Sequence, residues 1–497
     1  MKIFLDRHSK TSLRQQLYDE FENRIVSGIL TANTALPSIR TVSKMAEVSA
    51  MTVVKVYEQL EMNNLIYKIQ GKGSFVANNL FANNLFASNN ESVESHDQWQ
   101  DKIQDYVVRA GFTQRTLRYK NMTSYNLGIA SLHERFLPTA FIMENFLTQY
   151  DIKMLLKHPP VEGDPVMIEK VCQHVIDKGI ESNPENVIIT SGSQAGINLV
   201  AQTFVAHGDV VVIESPSFPG AIDVFKSRGA KIIEVPMTSK GLDVNALLEV
   251  CEKNPVKLLY TMPNFHNPTG YSARLDVLQE VIMLSKEHNF LVLEDDSWSD
   301  LYYDRMERPL KSIDDEGRVL YLIGLSKTLG PSLKLSAIIT DPVLRQKLIN
   351  AKSSIDSSAP LLNQVIVSSY LGSVAHKQHL IWVRHELKML MKRVKAHMDA
   401  IAPPYLKVSY PNGGLVLWIT LPSSFDCKLL YYKLMTDASI TVLLGEHCYS
   451  SINGNNQFRI CFSYEEEAHI MESLTRIIHM IEDLKPLMHQ CSQSPNT

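Results

Sequence analysis

Leu13, Leu17, Phe21 and Ile25 recur at every fourth position, so residues 11–30 carry one apolar helical face. Pro37 stops that pattern, and Ser38 is placed to cap a second helix from Ile39 to Glu47. A short turn at Val48-Ser49 leads to a third helix, Ala50 to about Asn63, with Val53, Val56, Tyr57 and Leu60 facing inward. The run LIYKIQGKGSFV then holds two short strand-like pieces around Gly71-Lys72-Gly73, the pattern of a β-hairpin.

Helix, helix, turn, helix and hairpin in that order predict a winged helix-turn-helix over residues 1–77. The next stretch, 78–120, reads as a linker: the five residues Asn78–Ala82 repeat as Asn83–Ala87, followed by Ser, Asn, Glu and His. A short surface helix is the alternative for the repeat, and 99–120 looks helical. From 121 the pattern changes to apolar β-branched runs alternating with helical stretches: NVIIT (186–190), DVVVIE (209–214), KIIEV (231–235), KLLYTM (257–262) and FLVLEDD (290–296). Such alternation predicts an α/β domain over 121–485 with a mainly parallel sheet covered on both faces. Beyond about 360, longer helices lead to VLWITLP and FRICFS, a smaller C-terminal α+β lobe.

Composition narrows the function classes. The 497 residues are 45 % hydrophobic and 21 % charged, as in a soluble globular protein of two or three domains. No run approaches the roughly 18 apolar residues of a membrane span, and MKIFLDRHSKTSLRQQ has no apolar signal region. Six scattered cysteines without a CxxC pair argue against a disulfide framework or a zinc site, and the expected home is the cytoplasm. Net charge is −4, but residues 1–77 hold 10 Lys+Arg against 7 Asp+Glu. A basic head on an acidic body fits a nucleic-acid contact confined to the head.

Candidate chemistry lies in short motifs at strand ends. Ser191-Gly192-Ser193-Gln194 follows a strand and opens a helix, where backbone amides and hydroxyls make a phosphate cradle. Phe218 in Glu214–Gly220 is placed to stack on a planar ring. Asn267 lies in the turn Asn267-Pro268-Thr269-Gly270, and Glu294-Asp295-Asp296 closes a very apolar run whose carboxylates need partners. Metal binding is the rival for that trio, but no His or Cys ligand lies nearby in sequence. Ser326-Lys327 follows a further strand, and a lysine there is able to form a Schiff base with an aldehyde. Each motif taken singly is also what an ordinary loop or packed side chain looks like.

Their order resembles that of fold-type I aminotransferases. The resemblance implies pyridoxal 5'-phosphate bound to Lys327 as a Schiff base, Asp295 on the pyridine nitrogen, Asn267 on the ring hydroxyl and Phe218 on the ring face. It also implies phosphate contacts from Gly192, Ser193, Gln194, Ser326 and Lys334, and a substrate carboxylate on Arg459. Residues 11–77 resemble the GntR winged helix, with Leu36–Arg40 opening the second helix, Val48–Val53 the third and Gly71–Phe75 forming the wing. Head and body together resemble the MocR-type subfamily of GntR regulators, which implies a double-stranded DNA operator, a homodimer and an amino-group or pyridoxal phosphate effector. Ser38, Arg40, Lys44, Ser49, Thr52, Lys55 and Lys72 are the candidate DNA contacts.

The chain departs from that pattern in four places. Ala50 follows Ser49 where the family usually has arginine, although Ser49 reads first as a helix cap. Trp298 stands at the spacing of a tyrosine whose hydroxyl reaches the ring oxygen, and an indole N–H donates but cannot accept. Gly324 replaces a hydroxyl residue, and Lys334 replaces an arginine, losing its bidentate fork. Three functions stay open: a regulator that senses a ligand, an active aminotransferase carrying a DNA-binding head, and a regulator whose large domain is a cofactor-free scaffold.

Overall fold

The computed structural model describes residues 12–26, 30, 34–62, 65–69, 73–77, 125–138, 158–451 and 453–491. The chain divides into two compact units, Met1–Gln104 and Asp105–Thr497. The expected linker 78–120, its pentapeptide repeat and the helix read over 99–120 lie outside the described residues, as does Lys72.

The smaller unit has the expected elements: α1 (Leu13–Val26), α2 (Ile39–Ala46), α3 (Ala50–Met62), β1 (Ile66–Ile69) and β2 (Gly73–Val76). The four-residue spacing of α1 buries Leu17, Phe21 and Ile25 against Val53, Val56, Tyr57 and Leu60 of α3. Phe21 and Tyr57 meet edge to face at 5.5 Å, and the Tyr57 hydroxyl donates to the Pro37 carbonyl at 2.6 Å. The hairpin is antiparallel, Ile66 opposite Val76, and Ala35 bridges to Phe75, tying the wing to the chain that enters α2. Ser38 caps α2 by accepting from the Thr41 amide. Alanine at 38 is expected to cost this unit about 1 kcal/mol, read as weaker amide-exchange protection across α2 and α3.

The larger unit is built on an eight-stranded sheet. Its strands are β4 (Val187–Thr190), β5 (Val210–Ser215), β6 (Lys231–Thr238), β7 (Gly241–Leu242), β8 (Val256–Thr261), β9 (Leu291–Asp296), β10 (Val319–Gly324) and β11 (Ser336–Ile339). Their order is β4-β11-β10-β9-β8-β5-β6-β7. β10, β9, β8, β5 and β6 pair parallel, as the alternation predicts. β11 runs antiparallel to both β10 and β4, and β7 is a short antiparallel return on β6.

Apolar side chains leave both sheet faces. One face meets the helices Ser193–Phe204 and Pro219–Ser227 around Leu258, Tyr260 and Leu293. The other meets Pro165–Ile176 at one end and Leu275–Glu287 at the other. Aspartate caps followed by proline at the first helical position start Pro165–Ile176 and Pro342–Ser353.

The C-terminal lobe holds an antiparallel sheet of β12 (Lys407–Ser409), β13 (Val416–Thr420), β15 (Leu443–Leu444) and β16 (Gln457–Cys461). It packs with the helices Val374–Ile401, Cys427–Ala438 and Glu467–Cys491. Into this lobe runs the first described stretch of the larger unit. There β3 (Tyr125–Asn126) pairs parallel with β14 (Ile440–Thr441), and Leu127 is buried in the lobe's core. Among the described residues no helix is long and apolar enough to cross a membrane.

Candidate functional site

Because β4, β5, β8, β9 and β10 share one direction, their carboxyl ends open on a single edge of the sheet, the edge where open α/β sheets hold ligands. The turns there carry Gly192 to Gln194, Phe218, Asn267, Asp295 and Ser326-Lys327.

Asp295 is fixed by two donors. The Tyr260 hydroxyl reaches Oδ2 at 2.9 Å and the Ser297 hydroxyl reaches Oδ1 at 2.7 Å. Burial pushes its carboxyl up to about 6, with the hydrogen bonds from Ser297 and Tyr260 pulling the other way. The adjacent carboxylates find partners within the protein. Glu294 accepts the amides of Leu310 and Lys311 at 2.8 and 2.7 Å. Asp296 accepts from the Ser299 amide and hydroxyl and from Tyr321. Of the trio, Asp295 is the one whose partners all lie at the carboxyl edge.

Lys327 is half-buried in the short helix Ser326–Leu329, and its amine donates to the Ala130 carbonyl at 2.7 Å. Burial, and next the positive charge of Arg459, hold that amine below the ordinary lysine value, against the pull of Asp295. Arg459 is buried on β16. It donates to Asn267 Oδ1 at 2.7 Å and to the Gly128 carbonyl at 2.5 Å, while its Nε has no hydrogen-bond partner among the described residues. Asn267 and Arg459, 192 positions apart, thus meet directly. Gly128 and Ala130, which hold Arg459 and Lys327, belong to the same short stretch after β3.

The expected phosphate cradle is a helix start. Gly192 is the cap of Ser193–Phe204, with φ of 90° and no capping side chain, so the first-turn amides are available to an anion. Its backbone lies beside that of Lys334, which is exposed and has φ of 45°. Gln194 donates to the Gly220 carbonyl at 2.9 Å, which ties the cradle to the Phe218 turn. Ser326 is engaged at its own turn, accepting the Leu335 amide at 3.1 Å and donating to the Leu335 carbonyl at 3.3 Å. Trp298 packs with Phe265, Leu301, Leu415 and Cys461, 2 % exposed.

Tyr260, Ser297 and the carbonyls of Gly128 and Ala130 have no site role in the sequence reading. Tyr260 is hidden in an apolar strand run, and a carbonyl has no residue-type signature.

In the smaller unit, Arg40 and Lys44 share the exposed face of α2 one turn apart, and Lys55 is exposed on α3. Among the described residues none of these three forms an ion pair. Ser49 caps α3, its hydroxyl accepting the Thr52 amide at 3.1 Å and lying 2.8 Å from the Thr52 hydroxyl. Met51, 64 % exposed at the start of α3, is a further candidate for groove contact, and the outward position of an apolar residue beside a cap was its signal.

The profile of the aminotransferase class I and II family matches residues 125–477. The chain belongs to that family. The profile of the bacterial regulatory proteins of the gntR family matches residues 13–76, ahead of it. A GntR head on an aminotransferase body is the MocR-type arrangement, that of a DNA-binding transcription regulator.

An uncharacterized HTH-type transcriptional regulator of Bacillus subtilis, YisV, is 26 % identical over 462 residues, covering 92 % of this chain and 93 % of its own. The HTH-type transcriptional regulator NorG of Staphylococcus aureus is 24 % identical over 442 residues, 89 % of this chain and 98 % of its own. The body also superposes on the kynurenine aminotransferase of Pyrococcus horikoshii, with a TM-score of 0.72 and 26 % identity. That match covers 78 % of this chain and 97 % of the other. These aminotransferase-like neighbours belong to a family that depends on pyridoxal phosphate.

Proposed function

We propose that this regulator binds pyridoxal 5'-phosphate through a Schiff base at Lys327 and reads the occupancy of that site, by the cofactor itself or by an amine-bearing ligand, into its grip on operator DNA. The observation that carries the proposal is the meeting of Lys327, Asp295, Asn267 and Arg459 at one edge of the sheet with the unobstructed helix start at Gly192. The donor set suits this cofactor. Asp295 would pair with a ring N–H, the amides after Gly192 would take the phosphate, Phe218 would stack on the ring, and Arg459, whose Nε is unpaired among the described residues, would take a carboxylate. Bound there, pyridoxal phosphate supplies an electrophilic carbon and an electron sink.

Sensing has a route in the chain's own residues. A ligand carboxylate on Arg459 would compete with the Gly128 carbonyl, and engagement of the Lys327 amine by an aldehyde would take from the Ala130 carbonyl its donor. Both events would loosen the same stretch, the one after β3. A ligand shifts such an equilibrium only by its differential affinity for the two states. Two copies are expected to act together, since an operator palindrome matches a twofold dimer.

The test is operator binding by the full chain with and without pyridoxal phosphate and a panel of amino acids. A ligand-dependent change in affinity is expected, and identical binding throughout would leave the large unit as a scaffold. Arg459→Ala is expected to weaken the response to carboxylate-bearing amines by about tenfold or more in apparent affinity, and to weaken that to amines without a carboxylate less, since these lose only its effects on Asn267 and Lys327. Equal loss for both classes would overturn the clamp. Turnover of amino acid and keto acid by the purified protein would favour the aminotransferase reading.

A further inference from the structure

Gly324, at the end of β10, is surrounded by hydroxyls. A Cβ built on it would lie 2.8 Å from Ser193 Oγ, 3.0 Å from Ser297 Oγ and 3.2 Å from Ser297 Cα. The first of these is closer than a Cβ comes to a neighbour and the other two are tight, so a side chain at 324 would have to push the serine hydroxyls from the places where they meet. The serine oxygens are 3.3 Å apart. Ser297 has one hydroxyl hydrogen, and it goes to Asp295 Oδ1 at 2.7 Å. Toward Ser193 it therefore acts as acceptor, and Ser193 donates. The result is a directed chain from the first turn of the helix after Gly192, through Ser297, to the carboxylate of Asp295.

We propose that Ser297 is a positioning residue for Asp295, and that the glycine at 324 exists to let its hydroxyl join that carboxylate to Ser193 at the phosphate end of the site. The proposal rests on the pyridoxal phosphate reading given above. With Tyr260 fixing Oδ2 from β8, Ser297 fixes Oδ1, so both carboxylate oxygens are oriented before a ring arrives. Such a donor also favours the ionised form, the one able to pair with a protonated ring nitrogen. The other charged groups facing Asp295 are Asp296 on its own strand, which opposes ionisation, and Lys327 after β10, which favours it. The departure at 324 is then linked to Ser297: a hydroxyl absent from β10 is supplied by the loop after β9.

The experiment is titration of the full chain with pyridoxal 5'-phosphate, followed by visible absorbance from pH 5 to 8, for the wild type, Ser297→Ala, Ser297→Thr, Gly324→Ala and the double variant Ser297→Ala/Gly324→Ala. Uptake by the wild type is expected to weaken as the pH falls through about 6, where Asp295 takes up a proton. Ser297→Ala is expected to bind about tenfold more weakly near neutrality and to move that midpoint to higher pH, with Ser297→Thr restoring it. Gly324→Ala is expected to mimic Ser297→Ala, and the double variant to be no weaker than the weaker single. Additive losses, or a midpoint that stays in place in Ser297→Ala, would overturn the positioning role. A wild type that takes up no cofactor fails the functional reading itself, which keeps the two failures apart.

Discussion

Replacing Lys327 with alanine is expected to abolish the visible absorbance that pyridoxal phosphate develops with the wild-type chain. The amine is half-buried, and burial together with Arg459 lowers its affinity for a proton. A larger fraction is therefore neutral near pH 7 than for a surface lysine, and the neutral amine is the nucleophile that attacks an aldehyde. Its 2.7 Å bond to Ala130 holds it at the mouth of the site rather than in solvent. Without it the phosphate cradle and Asp295 still provide noncovalent contacts, so weak cofactor retention with no visible band is the expected pattern. The measurement is an absorbance titration of the two proteins side by side. A band of equal strength in both would show that another lysine captures the aldehyde and would remove Lys327 from the site.

Phe21→Ala is expected to unfold the smaller unit while leaving the larger one intact. Phe21 is wholly buried between α1 and α3 and packs edge to face on Tyr57. Truncating such a phenylalanine costs about 3–5 kcal/mol, and a core this small supplies about 3–5 kcal/mol in all. The two magnitudes meet, so the head should lose its fold. Operator binding should vanish, while the cofactor absorbance and the thermal transition of the larger unit should stay as in the wild type. Loss of both activities together would mean that the larger unit depends on the head for its stability.

The elements of both units were legible where periodicity alone decides. The four-residue spacing from Leu13 to Ile25, the caps at Ser38 and Ser49, and the apolar runs ending at Thr190 and Asp296 each reappear within a residue or two. What escaped depends on pairing between distant segments. Ser336–Ile339 is as apolar as its neighbours, and a buried strand carries no sign of its direction, so its antiparallel setting was hidden. The stretch after β3 acts through carbonyls, which every residue has. Gly324 read as a missing hydroxyl, because the sequence does not show that Ser193 and Ser297 already fill the space.

The way the stretch after β3 is anchored also sets an order of events during synthesis. Among the described residues, every buried partner in the head's core lies between Leu17 and Val76, so the head can complete itself as soon as that length has left the ribosome. The stretch after β3 has to wait. The Asn126 amide bonds to Glu465, 339 positions further on, and Arg459 grips Gly128 from 331 positions away. At about 5–20 residues per second, the head has a lead of some tens of seconds over the body. A nascent chain can therefore present a finished DNA-binding head before the residues around Lys327 and Arg459 have come together.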